Sequence, residues 1–268
     1  MGRAMDLGLK GKVAIVAASS KGLGRATATI LAREGALVTV NGRDSESLKA
    51  TADEIRAETG GDVIEIAGDM REPADIERLI SETVAQRGGL DILVCNAGGP
   101  PYGNFEQFPD DQAWLDAVNL NLMSTLRLSR AAIPHLLERG GGSITNIMSV
   151  SVKQPIPNLV LSNTARSGVM GLAKSLALEY ADRNIRVNSV LPGTHKTDRV
   201  LSGAKQRSEA TGRPVEELLA EDAKAIPMGR MGDPDEFGRV VAFIASPAAS
   251  YVTGVAITVD GGSTRSTL

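Results

Sequence analysis

The sequence predicts an α/β protein: a doubly wound parallel sheet of about seven strands with helices on both faces. Three observations carry that prediction. Short β-branched runs alternate along the chain with longer stretches of helical spacing or helix-forming composition. Most of the short runs are continuously apolar rather than alternating, as in strands covered on both faces. The links between them are short and polar, which with the alternation means a parallel sheet wrapped by helices, its crossovers right-handed by the general rule for such connections. In an open sheet of this kind ligands bind at the carboxyl ends of the strands.

The first strand, 12–18, runs into Ser19-Ser20-Lys21-Gly22-Leu23-Gly24-Arg25-Ala26 and a helix over 22–34. Gly22 and Gly24 let the backbone approach a pyrophosphate and let the helix pack close to the sheet. The helix N-terminus turns free N–H groups and a partial positive charge toward the phosphates. Two glycines alone are a weak signal, but between the first strand and first helix of an alternating chain they are a strong one. The plain alternative is a tight turn with no ligand. Ser20, Lys21 and Leu23 complete this loop.

The second strand, 37–41, ends in Asn41-Gly42-Arg43-Asp44 before a helix over 45–59. Folds that select NAD place an acidic side chain here, against the ribose 2′-hydroxyl. Gly42 offers no carboxylate, while Arg43 and Lys21 offer two cations. That suits a 2′-phosphate, so NADP(H) is the expected cofactor. Asp44 leaves NAD open but reads first as the N-cap of the next helix. The third strand, 63–67, ends in Gly68-Asp69-Met70 ahead of a helix over 73–87. The Asp69 carboxylate either accepts from an adenine amine, with Met70 beside it, or caps a turn.

The fourth strand, 91–95, leads into Asn96-Ala97-Gly98-Gly99-Pro100-Pro101, whose small residues leave room for a ligand across the sheet edge. Cys95 reads as a buried small hydrophobe. A helix is expected over 111–139. The fifth strand, 143–148, ends at Ser149 and is followed by a helix over 160–182. The sixth, 186–191, ends in Pro192-Gly193. Residues 194–226 break the rhythm; they are polar, charged and read as two short helices. A late insertion of this kind reads as a mobile lid rather than a second domain. The last strand is expected at 255–259. No composition break marks a boundary, so 1–268 reads as one domain.

Composition narrows the function. The 268 residues can bury a core without a disulfide or metal, and one cysteine excludes a disulfide framework or a cysteine-built zinc site. A net charge of -3 gives no electrostatic case for nucleic acid or an anionic membrane, and 3% aromatics argues against stacking platforms. The first residues hold no signal-type apolar run, and Asp6 stands where myristoylation wants Ser or Thr. No run of ~18 apolar residues occurs. The expectation is a cytoplasmic protein acting on a small molecule. Three tyrosines and two histidines leave few side chains able to trade protons near neutral pH.

Several spaced motifs together resemble the short-chain dehydrogenase/reductase family over nearly the whole chain. Gly22-x-Gly24 matches its cofactor loop, and Asn96-Ala97-Gly98 its strand-four signature. Asn121 falls at its helix asparagine and Ser149 at its catalytic serine. Val187-Asn188-x-x-x-Pro192-Gly193 with Thr197 matches the segment that cradles the nicotinamide, and Asp260-Gly261-Gly262 the closing strand. Within the family the chain looks most like the 3-oxoacyl-acyl-carrier-protein reductase group. The resemblance implies a Rossmann-like domain, a homotetramer, and hydride transfer between a nicotinamide and a carbonyl or acyl thioester substrate.

Two positions depart from the pattern. The family's Thr-Gly at the start of the cofactor loop is Ala17-Ala18. Thirteen residues beyond Ser149, where the family keeps Tyr-x-x-x-Lys, stands Ser162-Asn163-Thr164-Ala165-Arg166. Positions 162 and 166 share a helix face. The family tyrosine donates the proton, its lysine holds the ribose, its serine orients the carbonyl and its asparagine anchors a relay water. Ser162 is far less acidic than a phenol and shorter by ~5–6 Å. Arg166 keeps the charge but does not pass a proton. Tyr102, Lys153 and His195 are candidate stand-ins; read plainly, they are loop packing, a solvated charge and an exposed lid residue.

Three functions follow. The first is an NADP(H)-dependent reductase with an altered proton donor. The second is a silent NADP(H)-binding protein that senses cofactor or assembles with an active relative. The third is a lyase resembling halohydrin dehalogenases, which carry Arg at the lysine position. They keep the tyrosine and lose the cofactor loop, the reverse of this chain, so it ranks last.

Overall fold

The computed structural model describes residues 6–267. The reading of the chain's first residues therefore falls partly outside the described residues, at 1–5. In chain order the elements are β1 (Val13–Val16), α1 (Gly22–Arg33), β2 (Leu37–Gly42), α2 (Ser45–Thr59), β3 (Val63–Ala67), α3 (Pro73–Arg87), β4 (Ile92–Cys95), α4 (Asp111–Val118), α5 (Ser124–Glu138), β5 (Gly142–Ile147), α6 (Val160–Tyr180), β6 (Ile185–Pro192), α7 (Asp198–Thr211), α8 (Val215–Lys224), α9 (Pro234–Ala245) and β7 (Ala256–Val259).

The seven strands form one parallel sheet in the order β3-β2-β1-β4-β5-β6-β7. The order reverses between β1 and β4, and the crevice at that switch point is where this architecture binds ligands. Strand alternation divides the core into two layers. Ala14 and Val16 pack with Leu48, Ile55 and Phe237, from α2 and α9, on one face. Val13 and Ile15 pack with Leu79, Leu128 and Ala177, from α3, α5 and α6, on the other. Full burial of a side chain such as Leu48 contributes roughly 1.5–3 kcal/mol. Helix ends follow local chemistry: Asp44 accepts from the Ser47 N–H at 2.8 Å as the N-cap of α2, and Gly60 closes that helix at φ +67. No helix among the described residues is long and apolar enough to cross a membrane.

In its helices the structure departs from the sequence reading in two places. The helix expected over 111–139 is two helices joined by one wide π turn at Asn119–Met123. The extra residue leaves the hydrophobic spacing almost unchanged, so periodicity alone does not report it. Helix α9 has no counterpart in the sequence reading. Its start is marked by a capping box between Asp233 and Glu236, with Pro234 in the first turn. The insertion does contain two short helices, α7 and α8.

Candidate active site

The loop after β1 is tied down from three strand ends. The buried Asn41 accepts from the Ala18 N–H at 3.1 Å and donates to the carbonyls of Ile66 (3.0 Å) and Gly68 (3.2 Å). Asn96 Nδ2 donates to the Ala18 carbonyl at 2.9 Å. Ser19 Oγ donates to the Val16 carbonyl and accepts from the Asn41 N–H. These bonds hold Ala18 at φ +46, a region disfavoured for a residue with a Cβ. Gly24 is required by close approach: a Cβ there would lie 2.6 Å from the Ala18 carbonyl oxygen and 2.7 Å from Asn96 Nδ2. Ser20 lies against Gly42, and Thr197 against Gly22. A carbonyl–glycine cradle is thus formed at the N-terminus of α1, where phosphates are bound in this architecture.

Lys21 and Arg43 are exposed beside this cradle, and neither forms an ion pair among the described residues. Asp69 is half-buried, and its carboxylate accepts from the Arg71 backbone N–H (2.9 Å) and guanidinium (2.6 Å). The guanidinium bond holds its pKa below the usual carboxylate range. Both sequence readings of Asp69 therefore meet a carboxylate already engaged in a turn with Arg71. Met70 is buried beside it.

At the other end of the cleft, four of the expected residues meet. The Gly98 carbonyl accepts from Asn121 Nδ2 at 3.0 Å and from Arg166 Nη2 at 3.3 Å. Arg166 Nη1 donates to the carbonyls of Ile147 (3.4 Å) and Met148 (3.3 Å), and its Nε–H to Ser162 Oγ (3.2 Å). Asn121 is carried inward by the π turn, and its Oδ1 is buried without a partner among the described residues. Ser162 is 5% exposed and Arg166 8%. Burial, with the nearby Arg199 charge adding to it, pulls Arg166 down to about 10, still a cation near neutral pH. Ser149 stands apart from this network; its Oγ accepts from the Ser151 N–H at 3.1 Å. Gly193 packs against Asp260, closing the far wall.

The candidate stand-ins differ. Tyr102 is exposed, with the Arg199 guanidinium 4.9 Å from its ring centre. Lys153 is half-buried. His195 corrects the expectation of an exposed lid residue: it is 4% exposed, its Nδ1 lies 3.2 Å from the Gly193 carbonyl, and its ring meets Phe237 edge-on at 5.4 Å. Burial lowers its pKa. Cys95 is buried as expected, its thiol pushed up to about 12 by desolvation.

Sequence reasoning missed Arg199. It lies in the first turn of α7 and donates from Nη1 to the Gly99 carbonyl (3.3 Å) and from Nη2 to the Pro100 carbonyl (3.2 Å). No local signal marks it, because its contacts are about a hundred residues away in the chain.

A glycine cradle with cations unpaired among the described residues at one end, and a buried Asn–Arg–Ser network at the other, has the arrangement of a dinucleotide-binding α/β fold. Residues 17–264 match the family model described as enoyl-(acyl carrier protein) reductase. The chain is 35% identical over 258 residues to an uncharacterized oxidoreductase of Thermotoga maritima, spanning 96% of this chain and 99% of that one. It belongs to the short-chain dehydrogenase/reductase family. The L-sorbose reductase of Gluconobacter frateurii, solved with NADPH and L-sorbose, superposes with a TM-score of 0.93 at 32% identity, covering 98% of this chain and 100% of that one. An NADPH-bound short-chain oxidoreductase of Pseudomonas aeruginosa PAO1, described as containing an atypical catalytic center, superposes at 0.86 with 32% identity, covering 95% and 97%.

Proposed function

We propose that this protein is an NADP(H)-dependent oxidoreductase interconverting a ketone or 3-oxoacyl thioester and its alcohol, with Ser162 and Arg166 in place of the family's Tyr and Lys. The observation that carries it is the Gly24 cradle flanked by the unpaired Lys21 and Arg43. NADPH in the two solved relatives supports the same reading. Ser20, Lys21, Gly22, Leu23, Gly24 and Arg43 hold the phosphates, Asp69 and Met70 face the adenine, and Asn96, Ala97, Gly98, Pro192, Gly193 and Thr197 line the nicotinamide half. The bound cofactor supplies the hydride.

The chain's own residues then orient and stabilise. Because Arg166 Nε–H donates to Ser162 Oγ, the serine hydroxyl keeps its own proton free to hold a water in the space the longer phenol would fill. Ser149 gives a second donor: its Oγ accepts from the Ser151 N–H, so its own hydroxyl proton is likewise free. The unpartnered Asn121 Oδ1 is an acceptor for a water, which replaces the missing phenol as proton source. Loss of a dedicated general acid slows such a reaction roughly 10²–10⁴-fold, so slow turnover is expected.

A silent cofactor-binding protein is the second reading, favoured by the bonding of Arg166 to three carbonyls and Ser162. NADPH oxidation across a panel of ketones and acetoacetyl thioesters separates the two. Turnover supports the reductase; tight NADPH binding with no turnover on any substrate favours the silent protein. The double change Ser162→Tyr with Arg166→Lys is expected to raise turnover by roughly 10²-fold or more. The family likeness also leads us to propose a homotetramer, which light scattering tests.

A further inference from the structure

Two arginines meet on one loop, the buried Arg166 and the exposed Arg199, and neither has an anion among the described residues. Arg166 reaches the Gly98 carbonyl from the α6 side, and Arg199 reaches the Gly99 and Pro100 carbonyls from the lid. All of these bonds are 3.2–3.3 Å, long for a charged donor, which closes to roughly 2.7–2.9 Å on a carboxylate. Among the described residues no carboxylate lies within ion-pair distance of either guanidinium. Elsewhere the insertion does pair its arginines: Arg207 with Asp222, and Arg213 with Glu217 and Glu221. Within α7 itself, then, Arg207 is matched by an acid and Arg199 is not.

We infer that the substrate itself carries a carboxylate, an oxo acid whose acid group is taken by the Arg199 fork while the Ser162 end of the cleft addresses its carbonyl. This rests on the reductase reading above. The Nη1 and Nη2 donors of Arg199 already point side by side at two neighbouring oxygens, the geometry that a carboxylate matches with both of its own. In the reaction the carbonyl carbon would take a hydride supplied by NADPH and its oxygen a proton passed on by the water, which is reprotonated from solvent, so that one oxo acid, one NADPH and one H⁺ give one hydroxy acid and one NADP⁺.

The test compares acids with their methyl esters: acetoacetate with methyl acetoacetate, and 4-oxopentanoate with its ester. The acids are expected to exceed the esters in kcat/KM by roughly tenfold or more, the worth of a hydrogen-bonded charge. Arg199→Gln should collapse that ratio, and Arg199→Lys should keep part of it. A latch that only holds the loop would lower acid and ester alike and leave the ratio unchanged, which overturns the inference. Equal or better turnover of the esters by the unaltered protein overturns it too, while leaving the reductase reading in place. If nothing is turned over, the reductase reading fails by itself, and calorimetry with and without NADPH decides the inference. Saturable binding of the acids alone, lost in Arg199→Gln, supports it; no binding of the acids overturns it.

Discussion

The two ends of the cleft carry positive charge in opposite ways. Lys21 and Arg43 stand exposed with no ion pair among the described residues, whereas Arg166 is buried and bonded to three carbonyls and a serine. The exposed pair costs the fold nothing to keep and is screened by salt. The buried guanidinium is part of the packing, so changing that charge disturbs the carbonyls it holds. A cation at the rim is therefore free to be changed for cofactor choice, while one at the floor is not.

The largest effect expected from this contrast is on cofactor choice. Replacing Lys21 and Arg43 together by alanine should weaken NADPH roughly 10²-fold, from two lost charge-assisted contacts, and leave NADH almost unchanged. Equal weakening of both nucleotides, read by fluorescence titration, would break the contrast. Next, Arg166→Met should lower stability by about 2 kcal/mol in denaturant melts, because buried carbonyls lose their donor. The Lys21/Arg43 double variant should stay within about 0.5 kcal/mol of the parent.

A smaller effect is a pH dependence at His195. Burial lowers its pKa below the ordinary 6.5, so the folded chain favours the neutral ring. Protonation then favours the unfolded chain, and this part of the stability is present above the ordinary value and lost as pH falls below it. Melts at about pH 7.5 and about pH 5.5 should differ less in His195→Gln than in the parent. Smallest of all, Ala18→Gly should stabilise by about 0.5 kcal/mol, since relief of a positive φ is partly offset by the entropy of glycine.

What is legible in the sequence is local. Gly24 and Asp44 announce a cradle and a cap through turn and cap chemistry that acts over a few residues. The π turn is not legible, because one added residue barely disturbs helical spacing. Missing α9 has a further cost: Phe237, which covers His195, lies on that helix, so without it the histidine reads as exposed. Asn41 and Arg199 act through partners brought close only by the sheet and by helix α7.

The strand order also governs how the chain folds as it is made. β1 pairs with β2 on one edge, but its other edge waits for β4, so that Val16 meets Val94 only after the intervening residues have left the ribosome. At ~5–20 residues per second that wait is roughly 4–16 s. Through this interval an apolar Val-Ala-Ile-Val strand presents an open edge, the kind that recruits other chains. The central strand that later organises the cleft is thus open to aggregation during synthesis.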